Sequence, residues 1–119
     1  MDLMVHVTGH GDWTVVSIGG ELDLSTAPRL RGELLVQIAS AGRSASARAN
    51  AGGMKLALDL RGVGFIDSIG LGVLIGARRR VIEAGGSLIV VHDSSRLTAT
   101  FEAAGLSGLF DTVTSVEHL

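Results

Sequence analysis

The chain has 119 residues, 46% hydrophobic and 18% charged, with no cysteine and a mean hydropathy of +0.43. This fits one globular domain and excludes disorder along the whole chain, disulfides and thiolate chemistry. Ten basic against twelve acidic residues leave a net charge of -2, which excludes a broad basic face for a nucleic-acid backbone. No uninterrupted apolar run approaches the ~20 residues of a membrane span, and Asp2 stands where a secretory signal carries cations. A cytoplasmic protein without direct nucleic-acid or membrane contact is expected.

In chain order, Met4 to His10 alternates apolar and polar residues, Gly11-Asp12 supplies a turn, and Trp13 to Ile18 is a β-branched run. Together they predict a hairpin, which Gly19-Gly20 should end. Glu21 to Leu24 lead into Ser25-Thr26-Ala27-Pro28, where a Ser or Thr cap followed by proline in the first turn predicts a helix start. That helix should run to about Ala39 and bury Leu30, Leu34 or Leu35, and Ile38. From Ser40 to Gly53 the sequence turns to Ala, Ser and Gly with Arg43 and Arg48, which predicts a flexible loop inside a single domain of residues 1–119.

Met54 to Leu60 and Leu88 to Val91 read as strands, with a helix from about Ser68 to Ala84 between them, closed by Gly85-Gly86. Strand, helix, strand over this length predicts a parallel pair joined by a right-handed crossover. Ser94 or Ser95 should cap a helix through Ala104, stopped by Gly105. Asp111 to Thr114 should add an edge strand before a short final turn.

The chemistry concentrates at Asp67-Ser68, where a loop leaves a strand and enters a helix. Either residue suffices as a helix cap; a phosphate on Ser68 would also be tolerated there, beside free backbone N–H groups and the positive end of the dipole. At 100° per residue, Leu71, Leu74, Ile75, Val81 and Ile82 gather on one side of this helix, and Ile69, Gly72, Val73 and Gly76 on the other. Two apolar sides, one lined with glycine, suggest that the second meets a partner or a neighbouring element. Enzyme motifs are missing: Ile66 stands where a nucleophile elbow around Ser68 needs glycine, and no phosphate-binding glycine loop is present. His6 and His10 share a strand face without a third ligand near in sequence, and Arg78-Arg79-Arg80 reads as the solvated end of a helix.

Gly20-Glu21-Leu22-Asp23, Asp59-Leu60-Arg61-Gly62-Val63 and Asp67-Ser68-Ile69-Gly70-Leu71-Gly72 together resemble the STAS domain, and within it the bacterial anti-sigma factor antagonists. The resemblance spans nearly the whole chain. It implies an α/β STAS fold: a mixed sheet of four to five strands with about four helices, in the order β-β-α-β-α-β-α-β, the last helix short or missing. It implies a binding module and not an enzyme, without cofactor or metal. The unphosphorylated form would bind an anti-sigma factor that is also a serine kinase, and a serine phosphatase would reverse phosphorylation of Ser68. Asp23, Asp67, Ile69, Gly70, Gly72, Val73 and Gly76 would form the partner-binding surface. The alternative is a STAS accessory subunit of a transporter or lipid-trafficking complex, with Ser68 as a helix cap. The Ser40 to Gly53 loop looks longer than the family pattern.

Overall fold

The structure, a computed structural model, describes residues 2–43 and 53–119. The chain runs β1 (Leu3–His10), β2 (Trp13–Leu22), α1 (Ala27–Arg43), β3 (Lys55–Ile66), α2 (Ser68–Glu83), β4 (Ser87–Val91), α3 (Ser95–Ala103), β5 (Asp111–Val113) and a closing 3-10 turn, Val116–His118. The sheet order is β1-β2-β3-β4-β5, with β1 antiparallel to β2 and every other pair parallel. This is the expected mixed sheet of five strands. Among the described residues it carries three α-helices where about four were expected, and the last element is short. α1 continues past Ala39 to Arg43, and most of the expected loop, 44–52, lies outside the described residues.

Alternation in β2 and β3 sorts their side chains onto two faces. Val16, Ile18, Leu22, Leu56, Leu58 and Leu60 pack under Leu30 and Leu34 of α1 and Leu74 and Val81 of α2, forming an aliphatic core. On the opposite face Val15, Ala57 and Val91 form a smaller cluster, closed by Val116 and Leu119 of the final turn. The buried residues of α2 are Gly70, Leu71, Leu74, Ala77 and Val81. Ile82, expected on that side, is 48% exposed, because Val81 takes the inward direction in the last turn.

Two strands overrun their expected ends. Gly19-Gly20 does not stop β2, which continues to Leu22, and β3 passes Leu60 to reach Ile66. The glycines act as an irregularity inside the strand: the β2–β3 register slips between Ser17 and Gly19 and again between Gly20 and Glu21. Gly20 has φ +99°, and a Cβ there would lie 2.1 Å from the Asp2 carbonyl oxygen. Only glycine fits that approach.

His92 follows β4 and is buried; its Nδ1 accepts the Ser94 amide at 3.1 Å, and its ring lies 5.9 Å from that of Phe101. Burial lowers its pKa from the ordinary 6.5, against an opposing pull from Asp93. The folded state therefore resists protonation while the unfolded chain accepts it. The stability this neutral imidazole contributes is complete above about pH 6.5 and is lost as pH falls from there through the lowered folded value. Urea unfolding at stepped pH should show that decline, and His92→Asn, which retains an acceptor for Ser94, should flatten it. Equal slopes for the two proteins would contradict this account.

Candidate docking and modification site

The overrun of β2 and β3 builds the site. Leu22 pairs with Ile66 at the strand ends, and the Asp67 amide donates to the Leu22 carbonyl at 3.0 Å. The turn after β2 is thereby held beside the start of α2. Asp67 is the cap of α2: its Oδ1 accepts the Gly70 amide at 2.9 Å, while its Oδ2 accepts the Leu24 amide at 3.2 Å. One carboxylate caps the helix and fastens two chain segments 43 residues apart.

Asp23 organises the other turn. Its Oδ1 accepts the Ser25 hydroxyl at 2.7 Å and the amides of Ser25 and Thr26 at 2.9 and 3.1 Å. The Ser25 hydroxyl bond, chief among these, holds the carboxyl below its usual range. The expected Ser or Thr cap is thus replaced: the Asp23 carboxylate takes the amides leading into α1, and buried Thr26 donates its hydroxyl to the Glu21 carbonyl at 2.6 Å. An Asp two or three residues ahead reaches these amides in an Asx turn, which leaves the serine hydroxyl as a donor.

Ser68 opens α2 as its first residue, exposed, with no hydrogen bond to its hydroxyl among the described residues. Around it the two segments bring three exposed apolar side chains: Leu24 at 71%, Phe65 at 49% and Ile69 at 47%. Sequence reasoning singled out Ile69 but missed Leu24 and Phe65. Their signal was present, since Leu24 lies in the turn after β2 and Phe65 lies past Leu60, the expected end of β3, so neither had a place in an expected strand or helix period. Arg96 braces the same rim by donating to the Gly64 carbonyl at 3.1 Å.

The three α2 glycines separate by environment. Gly70, expected on the partner-facing surface, is buried against β2: a Cβ there would lie 2.4 Å from the Leu22 carbonyl oxygen. Among the described residues Gly72 and Gly76 have nothing within 4 Å of a built Cβ. They line an open cleft of about 230 Å³ between α1 and α2, walled by Leu34, Ile38, Ile69 and Val73. Val73 is half-buried and packs on the core, so this side of α2 is partly structural. No packing requires glycine at 72 or 76. Each change to alanine is expected to raise unfolding free energy by up to about 1 kcal/mol in denaturant titration, and a loss would reveal a backbone requirement at that position.

Other polar groups serve the fold. Buried Asp59 receives both guanidinium contacts of Arg61, at 2.9 and 2.8 Å. Burial pushes its carboxyl up, but the Arg61 bonds outweigh this and hold it low. His6 and His10 lie exposed on β1, and among the described residues no group of three or more His, Cys, Asp or Glu is placed to hold a metal. Among the described residues no helix is long and apolar enough to cross a membrane.

A five-stranded mixed sheet whose β2 and β3 ends carry an Asp-Ser helix start defines the STAS domain. Residues 4–119 match the STAS domain family model, and the chain belongs to that family. Among curated proteins it is 35% identical over 111 residues to the anti-sigma-B factor antagonist of Bacillus subtilis, covering 93% of this chain and 91% of that one. It is 29% identical to the protein of the same name from Staphylococcus epidermidis, over 92% of this chain and 91% of that one. Among solved structures, an anti-sigma factor antagonist from Mycobacterium paratuberculosis superposes with a TM-score of 0.79 at 24% identity, covering 98% of this chain and 90% of that one. The Bacillus cell fate determinant SpoIIAA in its phosphorylated form gives 0.65 at 20% identity, covering 98% and 96%. At these identities the two structures speak for the fold.

Proposed function

We propose that this protein is an anti-sigma factor antagonist: its unphosphorylated form binds an anti-sigma factor with serine kinase activity and so frees a sigma factor in the cytoplasm. Phosphorylation of Ser68 by that partner ends binding, and a serine phosphatase restores it. The protein acts by binding and not by catalysis. The observation that carries this reading is the exposed Ser68 hydroxyl, unengaged among the described residues, at the first position of α2, within the apolar rim of Leu24, Phe65 and Ile69. A dianion is compatible with the helix N-terminus, so modification leaves the fold intact. The same dianion must lose water when a partner covers the rim, so modification penalises docking. The full-length relatives named above are anti-sigma-B factor antagonists, and nothing in the site favours the transporter-subunit alternative.

The test is incubation with ATP and each kinase-like anti-sigma factor of the source organism, followed by mass spectrometry. One phosphate on Ser68, absent in Ser68→Ala, is expected. No phosphate with any of them, or phosphate elsewhere, overturns the assignment.

A further inference from the structure

Among the described residues the large exposed apolar side chains gather at two places, the Ser68 site and the β1 edge, with one isolated residue. Leu24, Phe65 and Ile69 surround Ser68, and Ile82 stands alone. Met4 at 70%, Val7 at 38% and Val36 at 59% belong to the β1 edge, with Val7 and Val36 on the helix-covered face of the sheet and Met4 on the other. Met4 and Val7 lie on β1 itself. Val36 lies two turns beyond Arg29 on the same stripe of α1, and Arg29 reaches β1 by donating to the Leu3 carbonyl at 2.7 Å. The proposed function uses the first patch and leaves the second without a role.

β1 is an edge strand, and its register determines which groups it leaves unpaired. The Asp2 carbonyl accepts the Glu21 amide, so the even residues Met4, His6, Thr8 and His10 direct their N–H and C=O groups at β2. The odd residues Leu3, Val5, Val7 and Gly9 direct theirs outward. Arg29 occupies the Leu3 carbonyl, in keeping with that direction. Val5, Val7 and Gly9 have no such cover among the described residues. Edge strands in soluble proteins are normally defended by lysine, proline, a bulge or shortness. β1 has eight residues, no proline, no Asp, Glu, Lys or Arg, and an unbroken register from Leu3–Gly20 to His10–Trp13.

We infer that β1 pairs antiparallel with β1 of a second copy of this chain about a two-fold axis at Val7. This register is self-complementary. Val7 faces Val7 of the second copy, Val5 faces Gly9, His6 faces Thr8 and Met4 faces His10. Every uncovered outward group between Val5 and Gly9 gains a partner, and the Arg29 bond to Leu3 stays in place because Leu3 falls opposite the Gly11 turn. Between Met4 and His10 no full charge meets its like across the seam, and the only like pair, Asp2 opposite Asp12, falls beyond the paired strands at its ends. Val7 and Val36, on the helix-covered side of the sheet, lie beside the seam, which explains why they are apolar and exposed in the single chain. The result is a continuous ten-stranded sheet, twice the five of one chain, with the two Ser68 sites left accessible.

Sedimentation equilibrium from about 10 μM to about 1 mM tests this, with the mass expected to rise from 12.3 kDa toward twice that value. Val7→Lys, which sets two cations face to face, should raise the dissociation constant at least about tenfold. Val7→Pro removes an outward N–H and no bond to β2, so it should also give a monomer with unchanged circular dichroism. Amide exchange adds a residue-level readout: Val5, Val7 and Gly9 should gain protection with concentration, while Met4, His6 and Thr8 are protected throughout. A monomer at every concentration overturns the inference, as does a dimer indifferent to both variants, or one in which the odd amides of β1 stay unprotected. None of these outcomes bears on Ser68, whose role is read in a separate assay.

Discussion

Ser68→Glu is expected to weaken binding to the anti-sigma partner by at least about 30-fold, close to 2 kcal/mol, while Ser68→Ala binds as the unmodified protein does and is never inactivated. The asymmetry follows from the setting of this side chain. Ser68 is exposed and its hydroxyl has no hydrogen bond among the described residues, so removing it costs the fold little. A carboxylate there stands beside the Asp67 cap and within the rim of Leu24, Phe65 and Ile69, which must become dry when a partner covers it. Titration calorimetry or surface plasmon resonance with the purified partner reads both variants, and their melting curves check that each is folded. If both bind like wild type, Ser68 is not the switch and the exposed hydroxyl is only the first residue of a helix.

Gly70→Ala is expected to be the most damaging single methyl group in α2, lowering unfolding free energy by about 3 kcal/mol and the melting temperature by about 10 °C or more. The methyl would meet the Leu22 carbonyl at 2.4 Å and the Leu22 Cβ at 2.8 Å, and a backbone oxygen held in the sheet cannot move aside. The helix would have to lift from β2. That shift would strain the Asp67 amide bond to Leu22 and the Asp67 carboxylate bond to Leu24, so the two site loops would part as stability fell. The same substitution two residues later, Gly72→Ala, should stabilise, since its Cβ opens onto empty space. Equal effects at the two positions would show that α2 does not seat on β2 as described.

Much of this molecule was legible in one dimension. The hairpin turn at Gly11, the Asp67-Ser68 helix start and the parallel β3–α2–β4 unit follow from periodicities and punctuation acting over neighbouring residues. Local rules failed where a distant partner decided the conformation. Gly19-Gly20 resembles a stop, yet β3 carries β2 on to Leu22 because ladder hydrogen bonds to a neighbouring strand outweigh the preference of glycine for turns. Ser25 and Thr26 resemble caps, yet the Asp23 carboxylate reaches their amides first.

The site divides in the same way. Sequence alone located the helix start at Asp67-Ser68, because a helix start is a short-range event governed by a few backbone amides, and the structure assigned the cap to Asp67. The family resemblance grouped Gly70 with Gly72 and Gly76 on the partner surface, although Gly70 falls on the buried stripe of Leu74, Ala77 and Val81 and away from the other two. Only the tertiary structure set Gly70 against Leu22, opened Gly72 and Gly76 onto a cleft, and brought Leu24 from 43 residues away to the Asp67 carboxylate beside Phe65 and Ile69. Whether an apolar residue faces core or solvent depends on which surfaces the packed sheet leaves uncovered, and that is decided by contacts between segments far apart in the chain.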